Sequence, residues 1–338
     1  MIVSFYDKNF KGLQDNASLT VDATSYSLIK RPVEINSLSC RCEAFTEDIH
    51  PTFLIIKDDR GGYVYGSLAG VPTLNRDNIT EVTGTDLKTM FSSDTLFTPA
   101  SSYSTVNSYL QALFTAWNTQ VNQGSIPCEL VFQSYVGTIP MGDYIPSAEK
   151  RVLDVWAEMQ GYLKFYNLYL DSYVDLINKK VRFTVGRTMY RNLNIRLWEY
   201  GIKDYGKWIA SVNEAQGYYE KDGSWTAGTR WILTSKNQIT TNTDNRDIYP
   251  VKRKILVSTE SVQDADTQAL TALLDAMYNE NIDLPATDVT PDFETKFSIY
   301  LKRGGELYKE LPCGELHYDS SGLKQFQIGY RFTGAEFI

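Results

Sequence analysis

The side chains able to do chemistry in this 338-residue chain are few and scattered. There are four cysteines, Cys40, Cys42, Cys128 and Cys313, and two histidines, His50 and His317. A structural zinc site needs four ligands at recognisable spacing. Only Cys40 and Cys42 stand close together, and neither histidine lies near the other. Positions two apart on a strand share a face. Cys40 and Cys42 are therefore expected to enter one core as buried thiols, with no metal. Such cysteine usage suits a reducing cytoplasm.

Nucleophilic catalysis asks for a serine or cysteine beside a base, most often histidine. The chain has no Gly-x-Ser-x-Gly elbow. His50 precedes Pro51 between apparent strands and reads as structural. Cys313 and His317 share one alternating segment, but four steps along a strand separate Cα atoms by ~13 Å. Gly304-Gly305 lacks the lysine and helix start of a phosphate cradle. No spacing among the 41 acidic residues marks a carboxylate pair for glycoside cleavage. The expectation is therefore no catalytic residue, no cofactor-binding residue, no metal ligand and no cofactor. One cluster stays open. Trp198, Trp208, Trp225 and Trp231 are four of the six tryptophans. Exposed indoles stack on sugars, which makes these four candidate saccharide-stacking residues. Their other reading, and the better fit, is the filling of a β-core, because an indole buries a large apolar area.

The elements that would position these side chains are mostly strands. The 23 Tyr and 15 Phe favour pleated, half-buried surfaces. Phe53–Lys57 and Tyr63–Leu68 flank the turn Asp58-Asp59-Arg60-Gly61-Gly62, a hairpin signal. Val82–Leu87 reads as a strand running into a short helix that starts near Asp86. Val106, Tyr109, Leu110, Leu113, Phe114, Trp117 and Val121 share one helical face behind a Ser104 cap. A second helix is expected from Ser147 to Gln160, opened by Pro146 and lined by Val152, Leu153, Val155, Trp156 and Met159. Leu163–Tyr166 and Val181–Val185 read as strands about an Asn178–Lys180 turn, and Asp222-Gly223 as a hairpin tip. Asn237–Asn245 reads as an exposed loop. A strand at Val251–Val257 precedes a third helix, capped by Asp264 or Asp266, with Leu270, Leu273, Leu274 and Met277 on one side. Strands then run to the end, with a turn at Gly304-Gly305. The net charge of −8 argues against a nucleic-acid grip, which needs clustered Lys and Arg. The N-terminus lacks the basic start and long apolar run of a signal peptide. No stretch approaches the roughly 20 apolar residues of a membrane span.

Three segments carry a resemblance. Val82-Thr83-Gly84-Thr85-Asp86-Leu87, after the Gly-Tyr-Val-Tyr-Gly hairpin, is similar to a "V-x-G-x-D-L" stretch. Ile255-Leu256-Val257, the following helix and Asn281-Ile282-Asp283-Leu284 are similar to a strand, helix and "N-x-I-x-L" strand. Lys296–Tyr300 through Arg331-Phe332 resembles a set of closing barrel strands. The "G-D-x-V-x-V" phrase usual there is absent, and Phe293-Glu294-Thr295-Lys296 stands near its place. Together these segments resemble the phage tail hub family. That family includes the hub module of siphophage tail-associated proteins, the prophage tail endopeptidase family and the contractile-tail baseplate hub.

The resemblance implies an α+β, β-rich, baseplate-hub-like fold: two tube-like β-barrel domains plus two smaller α+β domains. The implied boundaries are a first barrel at 1–100, a helical α+β insertion at 101–165, a β-rich middle domain at 166–249 and a second barrel at 250–338. It implies a non-enzymatic structural protein of the virion tail tip, made in the host cytoplasm. This protein would close the distal end of the tail tube and gate DNA exit. A homotrimer would offer six barrels to a sixfold tube. Implied partners are a distal tail protein hexamer, the tape measure protein and a receptor-binding protein or fibre. No specific nucleic-acid binding is implied. The net charge of −8 fits an acid-lined channel that lets DNA slide, and equally fits a charge that keeps the protein soluble. The alternative is a host cell-wall saccharide-binding module working through the Trp-rich segment. Family members that cleave cell wall carry an extension after the hub module, and none is expected after Ile338.

Overall fold

The computed structural model describes residues 2–13, 19–43, 51–58, 60–71, 73–74, 79–99, 103–141, 150–188, 190–201, 212–234, 239–259, 261–277, 282–286, 289–319 and 321–329. The chain begins with seven strands: β1 (Ile2–Tyr6), β2 (Leu19–Lys30), β3 (Ser37–Glu43), β4 (Phe53–Lys57), β5 (Tyr63–Ala69), β6 (Thr73–Leu74) and β7 (Ile79–Thr85). β1 pairs with β4, β4 with β5, β5 with β7, β7 with β3 and β3 with β2, all antiparallel. β2 pairs in turn with β1, at Ile2↔Thr20 and Val3↔Leu19, so the path returns to its first strand. Alternation sends Val3, Phe5, Leu38, Cys40 and Tyr65 into one core. β4 is buried on both faces: Leu54 and Ile56 enter that core, while Phe53 and Ile55 enter a second. The expected hairpin between β4 and β5 forms, with the Asp58 carboxylate accepting from the Arg60 and Gly62 amides.

Asp86 follows β7 and caps a 3-10 turn, Leu87–Phe91, as the sequence suggests. β8 (Asp94–Phe97) comes next, then helix α1 (Val106–Trp117). Its cap is Thr105 instead of Ser104; the hydroxyl accepts from the Ser108 amide at 3.1 Å. The apolar stripe from Val106 to Trp117 is buried as expected. Val121 departs from it and is 39% exposed. Asn118–Asn122 widens into a π-turn, and the extra residue rotates Val121 off the stripe.

After β9 (Cys128–Phe132), the expected second helix starts late. Arg151–Asp154 is instead a strand, β10, paired with β8, and Val152 is 65% exposed. Pro146 and Ser147 lie outside the described residues. Helix α2 (Val155–Phe165) opens at Asp154, whose carboxylate accepts from the Ala157 amide at 2.8 Å. Leu163–Phe165 is consequently its last turn, not a strand, and Tyr166 is its C-cap. β11 (Leu168–Asp175) and β12 (Lys180–Arg187) form an antiparallel pair, and β9 joins β12 in parallel. Leu113, Trp117, Met159, Leu163, Leu170 and Phe183 share the core between these helices and strands.

β13 (Arg191–Arg196) precedes a four-stranded sheet made of β14 (Glu214–Lys221), β15 (Ser224–Leu233), β16 (Ile239–Thr240) and β17 (Lys254–Thr259), in the order β16-β15-β14-β17. The expected hairpin tip at Asp222-Gly223 is present, with φ of 53° and 73°. In the expected loop, Asn237 and Gln238 lie outside the described residues, Ile239–Thr240 form β16, and 241–244 are exposed. Helix α3 (Val262–Met277) lies against one face of this sheet. Gly217 permits the close approach, since a Cβ there would stand 2.4 Å from the Ala265 main chain. The helix cap is Ser261: its hydroxyl accepts from the Asp264 amide and donates to the Asp264 carboxylate. Asp266, the other expected cap, instead accepts from the Thr229 amide and hydroxyl at 2.7 and 2.8 Å. Leu270, Leu273 and Leu274 are buried, and the side chain of Met277 lies outside the description.

β18 (Ile282–Pro285), β19 (Thr295–Tyr300), β20 (Lys309–Asp319) and β21 (Gly322–Ile328) complete the described chain. They pair antiparallel as β18-β21-β20-β19, and β13 lies parallel on β19. Ile195, Phe297, Ile299, Leu311, Leu316 and Phe326 form their core. β20 also pairs with β2 at Leu28↔Tyr318 and Lys30↔Leu316. The N- and C-terminal strands are thus one sheet. The architecture is β-rich α+β with three α-helices among the described residues.

Candidate functional site

Among the described residues the thiols and the one imidazole do not converge into a reactive centre. Cys40 and Cys313 are buried, and Cys128 is half-buried. Burial pushes the Cys128 thiol up to about 12 and the Cys313 thiol well above its ordinary value. Both stay protonated at neutral pH, the unreactive form. The Cys42 side chain and His50 lie outside the described residues. His317 bonds the carboxylate of Glu315 on its own strand at 2.8 Å. Among the described residues no group of three His, Cys, Asp or Glu side chains is placed to hold a metal.

The tryptophans do not share one face. Trp231 is buried, Trp198 is half-buried in the 3-10 turn Leu197–Tyr200, and Trp208 lies outside the described residues. Trp225 is 63% exposed. It stands opposite Glu220, while Trp231 stands opposite Ala215. Positions 215 and 220 of β14 differ by an odd step, so the two rings point to opposite faces. A shallow hollow of ≈ 530 Å³ beside Trp225 is lined by Glu220, Asp222, Gly223, Ser258 and Thr259.

The densest polar chemistry is one that sequence reasoning missed. Lys88, on the 3-10 turn after β7, has a fully buried side chain. Its ammonium lies 3.3 Å from the Asp86 carboxylate, itself fully buried. It donates to the Arg31 carbonyl at 2.8 Å, to the Glu34 carbonyl and to the Asn36 side-chain oxygen at 3.4 Å. It also sits 5.8 Å over the Trp156 ring. Asp86 further accepts from the Asn36 amide at 2.6 Å and the Ser172 hydroxyl at 3.3 Å. Burial lowers the Lys88 pKa, against the pull of Asp86. A lysine with a lowered pKa is a standard mark of a reactive site. Here oxygens of the protein surround the ammonium and leave no place for a substrate, so Lys88 positions main chain. Around this knot lie the pairs Lys30–Asp171 at 3.0 Å and Arg31–Glu315 at 2.7 Å. The network joins the 31–36 segment, the 3-10 turn, α2, β11 and β20, where the terminal sheet meets the helical layer.

Asp171 gives the network a pH signature. Burial alone would raise its pKa, but the charge and hydrogen bond of Lys30 outweigh burial and hold the carboxyl below its ordinary value. The folded state therefore binds fewer protons at this site than the unfolded state. The resulting stability is present above about pH 4, the unfolded value. It is lost as pH falls through the lowered folded value. Asp171→Asn is expected to flatten the fall in stability below about pH 4. Urea midpoints measured for both proteins from neutral to acid pH check this, and parallel curves would rule it out.

Several apolar side chains on ordered backbone face solvent. Ile177, at the β11–β12 turn, is 91% exposed. Its turn is fixed by Asp175, which accepts from the amide and side chain of Asn178 at 2.9 and 2.8 Å. Val152 on β10 lies opposite Leu96 on β8, and both are exposed. Leu256 projects from β17, which pairs only with β14 among the described residues. Exposed apolar groups and an open sheet edge are features that assembly covers.

The fold has counterparts among solved structures. No protein-family model and no curated protein matches the sequence. Solved structures do match its fold. The prophage tail protein gp18 from Listeria monocytogenes EGD-e is similar at a TM-score of 0.53 and 9% identity, over 98% of this chain and 96% of that one. The tail protein from Neisseria meningitidis MC58 is similar at a TM-score of 0.52 and 11% identity, over 97% of this chain and 96% of that one. The likeness is one of fold and runs end to end. The chain has the fold of phage tail proteins, the class that its three sequence segments resemble.

Proposed function

We propose that the chain is a structural, non-catalytic subunit of a phage tail tip, a hub that closes the distal end of the tail tube and gates DNA exit. The observation that carries this reading is the end-to-end likeness in fold to two phage tail proteins. The strand pairing supports it. Six N-terminal strands pair in a path that returns to β1, as a tube-like barrel would. The sheet β18-β21-β20-β19, extended by β13, supplies a second unit of the same kind. The division that suits this role is 1–100, 101–165, 166–249 and 250–338, with β13 lent from the third part to the fourth and β17 and α3 lent from the fourth to the third.

In this reading three copies form a ring of six β-units. The ring docks on a hexameric distal tail protein, meets the tape measure protein above and a receptor-binding protein or fibre below. Cyclic assembly would cover the edge of β17 and the exposed Ile177, Val152 and Leu256. The charge of −8 per chain suits a conduit that does not trap phosphates. Light scattering is expected to give three times the mass of the chain alone, and that mass added to the ring's when the hexameric ring is bound. A monomer at high protein concentration that also ignores the ring would overturn the proposal.

A further inference from the structure

The hollow at the β14–β15 hairpin tip has no part in the hub reading, and its chemistry is specific. An indole exposed over most of its surface stands on a strand, opposite Glu220. The tip is a tight Asp222-Gly223 turn with both residues at positive φ, a geometry that fixes the two flanking strands against each other. β17 reaches the same place from the other side of β14, pairing Ser258 with Tyr218 and Thr259 with Tyr219. Three neighbouring strands of one sheet therefore build the hollow, and its walls are pre-formed.

We propose that this hollow is a saccharide-binding subsite for a neutral sugar, with Trp225 as its platform. A pyranose ring has a flat C–H face that stacks on an indole, and a rim of hydroxyls that need acceptors. The carboxylates of Glu220 and Asp222 are acceptor-only groups and each can take two hydroxyl donors. Neither has an ion-pair partner among the described residues, so both are available to a ligand. Ser258 adds a hydroxyl that can donate or accept. The volume of ≈ 530 Å³ lies within the range of about 300–1,000 Å³ usual for small-ligand sites. Two carboxylates with no ion-pair partner among the described residues repel phosphate, uronate and sulfate groups, which disfavours anionic glycans and nucleic acid. A cationic side chain of a partner protein would also answer the carboxylates. The open, one-ring platform favours a sugar face over a cation, which is held best by rings on several sides.

The test uses the full chain in its native assembly. Neutral oligomers of N-acetylglucosamine, glucose and galactose are titrated while tryptophan fluorescence and heat are followed, and an oligolysine peptide and an anionic oligouronate serve as comparators. Binding of at least one neutral oligomer is expected, weakened about tenfold or more by Trp225→Ala, a loss of about 1.4 kcal/mol or more. Glu220→Gln with Asp222→Asn is expected to weaken it too, with the melting midpoint of each variant unchanged. No binding of any neutral oligomer at millimolar concentration would overturn the proposal. So would binding that Trp225→Ala leaves untouched, or a preference for oligolysine over every sugar. None of these results depends on the trimer measurement, so the two readings fail separately.

Discussion

Replacing Lys88 by methionine is expected to cost about 3–5 kcal/mol of folding stability, the range for removing one partner of a buried ion pair. Methionine keeps the length of the side chain and its contact with Trp156. It removes the ammonium that lies against Asp86, Arg31 and Glu34. Asp86 would then be a buried carboxylate without a counter-charge, and two main-chain carbonyls would lose a donor. The same reasoning supplies the cure. Asp86→Asn in the Lys88→Met background removes the orphaned charge, while asparagine still caps the 3-10 turn. The double variant is expected to be much more stable than the two single losses added together. Urea melts of the four proteins, read as a double-mutant cycle, measure this coupling. A Lys88→Met loss under about 1 kcal/mol would mean that water reaches the site and that the pair behaves as a surface bridge.

Trp117→Ala is expected to be comparably damaging, at about 3–5 kcal/mol. The indole lies with its centroid 4.6 Å from Phe91, 5.7 Å from Phe114 and 6.4 Å from Phe183. Its Nε1 donates to the Met90 carbonyl at 2.7 Å. Alanine leaves a cavity among three rings and an unsatisfied acceptor. Trp117→Phe fills much of the cavity and is expected to lose distinctly less. Near-ultraviolet circular dichroism and urea midpoints check both. If alanine and phenylalanine are equally costly, packing is not the dominant contribution. Met90 and Lys88 share one turn, so Trp117→Ala and Lys88→Met are not expected to be additive.

Where a signal is local, the sequence reads well. The α1 stripe from Val106 to Trp117, the Asp58–Gly62 hairpin and the Asp86 helix start all depend on neighbours within one or two turns. Helix ends are harder. Val121 fits the α-helical period but not the π-turn that breaks it, and nothing in Asn118–Asn122 announces the extra residue. At Val152 two periods compete. The strand pairing Val152↔Leu96 decides between them, and that partner lies far away in the chain. The candidate sites are less legible still. Four tryptophans in one stretch suggest one face, and the even spacing of Trp225 and Trp231 agrees, yet a register shift between Gln216 and Tyr218 in the β14–β15 pair puts them on opposite sides. The buried knot leaves no trace, because Arg31 and Glu315 are 284 residues apart and Asn36 and Asp86 are 50 apart. An isolated Lys in a polar-looking segment gives no hint that it will be closed off from water.

The pairing of β2 with β20 sets a schedule for synthesis. The edge formed by Leu28, Ile29 and Lys30 has no partner until Leu316, His317 and Tyr318 have left the ribosome. At about 5–20 residues per second that wait is on the order of 15–60 s. Throughout it the nascent N-terminal strands carry an open hydrogen-bonding edge, the kind of surface that recruits other chains. Closing such a distant pair also loads the folding barrier with chain entropy, so the final zipping step is expected to be slow. A newly made chain would thus depend on a chaperone, or on dilution, for on the order of 15–60 s before this edge is covered.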